Sequence, residues 1–325
     1  MSNLTRRGFA LLATAAIVAS SFALPGHAEA KLEQLGLLAP SSPGSGYDQL
    51  ARGLQQTLQS EGLVPAVEVT NVAGGGGTVG LAQFVTSRPR NPVAMVVGFA
   101  LVGGVLTTGS AVTLDDVTPV ARLMADQDVI VVPEGSEIRT LADLVAALKA
   151  APGDVSWAGG SIGGVDHITA GLFAKAAGVD PTAINYVVHA GGGEVLASVL
   201  GGHTTLGISG YEEFRTQIEA GKLVPLAVSG EERIPGLDAP TFREAGVDLA
   251  VTNWRGLVTS TKLDDDERAA LDETIAALVA TPAWAELLAS RNWQDAYQPA
   301  DAFGAFLDEE STRIGEALRD AGVVQ

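Results

Sequence analysis

The sequence predicts an α/β protein of two lobes, each a mixed, mostly parallel sheet flanked by helices, the two joined by a two-strand hinge. Three observations predict it. Apolar runs of strand length alternate with longer segments of helical period. Three glycine-rich loops each follow a strand and precede a helix. The length of 325 residues fits two domains once a leader is set aside.

In chain order, residues 1–30 read as an export address. Arg6 and Arg7 lead into an apolar stretch over residues 9–24 that is too short to span a bilayer comfortably. Small residues then stand at two cleavage positions, after Ala28 or Ala30, and the mature chain is expected to start near Lys31. Thr5-Arg6-Arg7-Gly8-Phe9 matches the twin-arginine export pattern, an ordinary secretory leader being the alternative, so a periplasmic location is expected. No later run approaches about 18 apolar residues. The chain has no cysteine, so an exported fold here must rest on burial without disulfides, and thiol chemistry is excluded. The formal charge of −18 becomes −19 when the leader's two arginines and one glutamate are removed. Nucleic acid and anionic membrane are therefore excluded as partners. A small anion is repelled too, unless local donors outweigh the global field.

The first predicted strand, 35–39, ends in Pro40-Ser41-Ser42-Pro43-Gly44-Ser45-Gly46, and a helix over 48–60 follows. A strand at 66–70 breaks at a glycine loop over 71–77 before a helix at 78–85, and 92–99 is the next strand. After strands at 120–124 and 129–133, Thr140 caps a helix that Asp143 reciprocates. Strands at 155–158, 183–188, 205–209 and 223–229 alternate with helices near 165–177, 193–201 and 212–221. From about residue 253 the pattern turns helical, with helices at 264–280 and from Thr281-Pro282 onward. Lobe 1 is thus expected over 31–124 plus 257–325 and lobe 2 over 125–256, with hinge crossovers near 125–132 and 250–257.

In open α/β sheets ligands bind beyond the carboxyl ends of the strands, where helix starts offer unpaired N–H groups to an anion. Residues 41–48, 74–78 and 159–166 are such loops, and none contains lysine or arginine. A site there is expected to rely on amides and hydroxyls. Gly75-Gly76-Gly77-Thr78-Val79-Gly80 has dinucleotide-fingerprint spacing, but no acid stands where a ribose would need one, at residues 98–102. Gly159-Gly160-Ser161-Ile162-Gly163 fits a nucleophile elbow, which makes a serine hydrolase the alternative reading. That reading needs a later acid and histidine, and His167, His189 and His203 are poorly placed in sequence to serve. The histidines show no metal-ligand spacing, and neither metal nor cofactor is expected.

The chain resembles the extracytoplasmic receptors of tripartite tricarboxylate transporters, the TctC or Bug family. The resemblance is carried by Pro43-Gly44-Ser45-Gly46-Tyr47-Asp48, by residues 71–80, by Gly160-Ser161 with Asp166-His167, and by Trp254-Arg255-Gly256. It implies a type II-like periplasmic binding fold, a monomer that is not an enzyme, closing on an organic carboxylate and delivering it to a membrane permease. It also implies ligand contacts at Ser41, Gly44, Gly46, Tyr47 and Asp48, at Gly75, Gly77 and Thr78, at Gly160, Ser161 and His167, and at Ser209. The segment Gly207-Ile208-Ser209-Gly210-Tyr211 looks like the tricarboxylate branch, which points to citrate, with di- and aromatic carboxylates as further candidates. Ser45, Tyr47 and Ala73 depart from the usual pattern.

Overall fold

The computed structural model describes residues 32–189 and 191–324. The leader expected over 1–30 lies outside the described residues. Among them, no helix is long and apolar enough to cross a membrane.

Two sheets organise the chain. The first takes β1 (Gln34–Ala39), β2 (Ala66–Asn71), β3 (Val93–Gly98), β4 (Val117–Asp126), β10 (Asn253–Ser260) and β11 (Gln294–Pro299), in the order β11-β4-β10-β3-β1-β2. The second takes β5 (Asp128–Pro133), β6 (Ser156–Gly159), β7 (Asn185–Val188), β8 (Leu206–Gly210) and β9 (Leu223–Val228), in the order β7-β6-β8-β5-β9. Both are mixed. β1 pairs β2 and β3 in parallel, as β6 does β7 and β8, but β10 runs antiparallel to β3 and β4, and β5 to β8 and β9. The antiparallel strands are those next to the passages between sheets. There the chain enters a new sheet from the side it left the old one, with no crossover helix to reverse it.

β5 shows why an apolar run with no polar face becomes a strand. Ile130 and Val132 point into one lobe-2 core with Trp157, Phe173 and Phe242, while Val129 and Val131 point into the opposite core with Val199 and Phe214. Both faces are covered, as period-two geometry requires of a central strand. Helices α1 (Gly46–Ser60), α2 (Thr78–Thr86), α3 (Phe99–Thr108), α8 (Asp265–Val279), α9 (Pro282–Ser290) and α10 (Ala300–Asp320) belong with the first sheet; α4 (Leu141–Ala150), α5 (Val165–Ala176), α6 (Gly192–Leu200) and α7 (Tyr211–Glu219) with the second. Thr140 and Asp143 form the expected capping box at α4, and Thr281 caps α9 with Pro282 in its first turn.

Three elements differ from the sequence reading. The tail is not purely helical: residues 253–260, read as a crossover into helices, form β10 in the middle of the first sheet, and β11 closes its edge. α3 has no counterpart in the sequence reading, which takes Phe99 as the end of a strand and assigns nothing to 100–108, because ten residues containing Phe99, Leu101, Val102 and two adjacent glycines carry almost no amphipathic period. A helix buried nearly all round has none to show. Trp254, read as hinge packing, is fully buried in the lobe-1 core, edge-on to Phe303 and Phe306, with its indole N–H donating to Glu310 Oε2 at 2.8 Å.

The chain passes between sheets at the single residue Gln127, separating β4 from β5, and returns through Val251 and Thr252 into β10. Ser229 ties the two passages together. Its hydroxyl accepts from Asp128 N at 3.0 Å and donates to Val251 O at 2.7 Å, and its carbonyl accepts from Val251 N at 2.7 Å.

Candidate ligand-binding cleft

Each glycine loop is shaped by its own sequence. In the first, Gly44 takes a left-handed φ of 86°. The buried Asp48 carboxylate accepts from Gly44 N at 2.7 Å, Asn71 Nδ2 at 2.9 Å and Arg52 Nε at 3.0 Å. Burial alone pushes the Asp48 pKa up, but the bonds from Gly44, Arg52 and Asn71 outweigh it and hold the carboxyl below its ordinary range. Ser45, where the family pattern has glycine, is the N-cap of α1, and its hydroxyl is also paired with that of Ser41. Tyr47 is turned inward: its hydroxyl accepts from Leu101 N at 2.9 Å, and burial pushes its pKa up to about 12. Asp48 and Tyr47 therefore hold the loop in place.

The second loop runs through four consecutive glycines, Gly74 to Gly77, all at positive φ, and Thr78 closes it by donating to Gly75 O at 2.9 Å. α3 lies against it. A Cβ on Gly76 would come within 3.0 Å of Gly104 Cα, so the dinucleotide-like glycines serve a close backbone approach. The opposite side of α3 meets the third loop, where a Cβ on Gly103 would sit 2.1 Å from Gly163 O. The two lobes touch through glycine at that point.

In the third loop Asp166 accepts from Gly160 N at 2.8 Å, the nearby Ser209 hydroxyl helps to lower its pKa, and Tyr186 donates to Gly160 O at 3.0 Å. His167 Nδ1 accepts from Gly163 N at 3.3 Å, its ring stands edge-on to Tyr186 at 4.7 Å, and burial lowers its pKa. Ser161 is exposed, and the Nδ1 atoms of His167 and His189 are turned to the backbone at Gly163 N and Val187 O rather than to its hydroxyl. With its Nδ1 turned to a backbone amide, His167 is not placed as the base that a nucleophile elbow requires.

A cavity of about 1360 Å³ opens between the sheets where the chain crosses from one to the other. Of the residues singled out in the sequence, Gly46 and Ser209 line it; Ser41, Gly44, Tyr47, Asp48, Gly75, Gly77, Thr78, Gly160, Ser161 and His167 do not. Asp126, Asp128, Asp166 and Arg255 line it as well. Arg255 brings a guanidinium to this cavity, beside the amides and hydroxyls to which the sequence points. It comes from β10, so close to the first loop that a Cβ on Gly46 would meet its Nη2 at 2.5 Å. Nη1 donates to Asp126 Oδ2 at 3.2 Å, and the guanidinium lies 6.0 Å from the Trp293 ring centre. The side of the cavity facing lobe 2 is acidic. Burial pushes Asp166 up to about 6, and burial together with Asp166 and Asp126 pushes Asp128 well above the carboxylate range. Helices α5 and α7 start at this cavity from Gly164 and Gly210, which have no side chain to cap the first-turn N–H groups. Away from it, α4, α8 and α9 are capped by Thr140, Asp264 and Thr281.

The sequence reading did not single out Arg255, Asp126 and Asp128, which line the cavity. A signal existed: charged residues interrupt strongly apolar runs in Met124-Ala125-Asp126-Gln127-Asp128-Val129 and Trp254-Arg255-Gly256-Leu257. A charge kept inside a strand that is otherwise core is commonly functional or paired.

Comparison with known proteins agrees with this geometry. The family model described as "Tripartite tricarboxylate transporter family receptor" matches residues 50–323. Protein BugT of Bordetella pertussis is 26% identical over 88% of this chain and 88% of its own. The crystal structure of a TctC solute binding protein from Polaromonas, without ligand, superposes with a TM-score of 0.73 at 27% identity, covering 88% of this chain and 98% of that one. MatC from Rhodopseudomonas palustris with bound malate shares the fold with a TM-score of 0.72 at 19% identity, over 88% of this chain and 98% of that one. A two-sheet α/β architecture with its cleft at the sheet crossing, matched by that family along most of its length, makes this chain a member of the tripartite tricarboxylate transporter receptors, the solute-binding TctC/Bug proteins.

Proposed function

We propose that this receptor captures a small di- or tricarboxylate, citrate first among them, in the cleft between its lobes, and hands it to the permease subunits of a tripartite transporter. The observation that carries the reading is the meeting of Arg255 with the uncapped starts of α5 and α7 at one cavity. Helix starts carry partial positive charge and unpaired N–H donors, and a guanidinium supplies two more in a plane that matches a carboxylate. These short-range donors hold an anion in a protein of formal charge −18, because direct hydrogen bonds outweigh a field that salt screens within about 10 Å. MatC's malate makes a four-carbon diacid the natural second candidate beside citrate.

In this reading residues 32–126 with 253–324 and residues 128–251 are the moving bodies. They close about Gln127 and the Val251–Thr252 return, where so few residues cross that a small backbone rotation swings one sheet against the other. Asp48, Asn71 and Arg52 set the first loop, and Asp166 sets the third by holding Gly160 N.

The test is calorimetry and thermal unfolding of the mature protein against citrate, malate, adipate and benzoate. At least one acid is expected to bind one to one and to raise Tm by several degrees at a hundredfold excess over Kd, equivalent to about 2.7 kcal/mol of stabilisation. No response to any of them would refute the reading.

A further inference from the structure

The floor of the cleft holds more buried negative charge than its partners neutralise. Asp128 is 1% exposed, and neither carboxyl oxygen has a hydrogen bond partner. Asp126 Oδ1 is likewise buried without a partner, its Oδ2 being taken by Arg255. Thr169 on α5, fully buried, presents a hydroxyl beside Asp128 that makes no hydrogen bond of normal geometry. The orphaned carboxyl atoms are all acceptors, so what this cluster lacks is hydrogen. A buried carboxyl in that situation is most cheaply satisfied by a proton, which turns one acceptor into a donor.

Every element packed around the cluster contributes to its charge balance. β4 brings Asp126, β5 Asp128 and β10 Arg255; α5 brings Asp166, His167 and Thr169; β7 brings Tyr186 and β8 Ser209. Gln127 is bonded to Glu232 O and Gly230 N and gives the cluster nothing. Arg255 is the cation that acts on Asp128, against three carboxyls, while Arg122, Arg233, Arg291 and Arg313 line the cavity as well.

We propose that the cleft takes its acid together with a proton, held on the cluster of Asp126, Asp128 and Asp166. This rests on the carboxylate-receptor reading and names what accompanies the ligand. The balance is simple: the acid arrives as an anion, one proton moves from solvent to a carboxylate of the cluster, and no covalent bond in the ligand changes. The direction follows from electrostatics. An anion seated on Arg255 draws that guanidinium's charge away from Asp126 and adds a negative charge beside Asp128 and Asp166, and both effects favour the protonated form. Before ligand arrives, Asp166 titrates near 6. Ligand moves the cluster's titration upward from there, so proton uptake peaks in a window just above pH 6 and affinity rises as pH falls through that window, by up to about tenfold per pH unit for one proton.

The experiment is calorimetry of malate binding at pH near 7 in two buffers of widely different ionisation enthalpy, repeated across the window. Malate is used because its own carboxyls stay ionised there. The expected result is an observed enthalpy that depends on the buffer, giving uptake of between half a proton and one proton, together with tighter binding at the acid end. Asp166→Asn, neutral and of the same shape, is expected to reduce the uptake and flatten the pH dependence, because Asp166 is the carboxyl that burial pushes up to about 6. Binding with the same enthalpy in both buffers and the same affinity across the window would overturn this inference and leave the receptor reading standing. Failure of malate, citrate and adipate to bind at any pH would overturn both. Carbon-13 resonances of the aspartate carboxyls in the ligand-free protein give a separate check: all three ordinary in titration would also overturn it.

Discussion

Arg255→Leu is expected to weaken carboxylate binding by about two orders of magnitude or more, and to destabilise the ligand-free protein by about 3 kcal/mol. Both effects come from one arrangement. Arg255 is 8% exposed, its Nη1 holds Asp126, and its other donors lie against Gly46 at the wall of the cleft. Removing it takes away the cation that acts on Asp128 and strands Asp126 beside Asp128 and Asp166. Truncating one partner of a buried ion pair is costly chiefly because of the charge left behind. Arg255→Lys should recover much of the stability but little of the affinity, since an ammonium lacks the planar pair of donors. Calorimetry measures the first quantity and urea unfolding the second. An Arg255→Leu protein that bound citrate or malate normally would remove Arg255 from the site.

Gly103→Ala is expected to separate affinity from stability. In the middle of α3 the added methyl favours the helix by about 1 kcal/mol. Yet that Cβ would sit 2.1 Å from Gly163 O, across the contact between the lobes, with Ile168 Cδ1 at 3.4 Å. The third loop has to withdraw, and the lobes are held slightly apart. Affinity should fall tenfold or more, because a ligand that needs the closed state is weakened by the loss of that state's population. Tm without ligand should not fall, and the radius of gyration with ligand should exceed that of the unsubstituted protein. Unchanged affinity would mean that the Gly103 to Gly163 contact plays no part in ligand capture.

The repeating β-α architecture was legible where apolar runs were bounded by glycine or proline and helix starts carried a capping signal. Thr140 with Asp143 and Thr281 with Pro282 are the plainest cases. β10 and α3 were not legible, for the same reason in two forms. A central strand and a helix buried on nearly every side both read as undivided apolar sequence, and the period that would separate them is lost. The glycine loops were legible as loops between strand and helix, and the structure shows what shapes them. Their conformations are held by Asp48, Tyr47 and Thr78, residues expected to meet ligand directly, while the charged groups lining the cleft come from strands far off in sequence. Arg255 and Asp126 are 129 residues apart and meet only because β10 pairs with β4. Spacing along a chain cannot show a pair made by sheet register.

A crystal structure grown with whichever acid of the panel binds most tightly tests the central claim most directly. The account predicts a carboxylate against the Arg255 guanidinium, with the N–H groups that begin α5 or α7 within hydrogen-bond reach of the same molecule. An acid bound outside the space enclosed by Gly46, Arg255, Asp166 and Ser209 would contradict it.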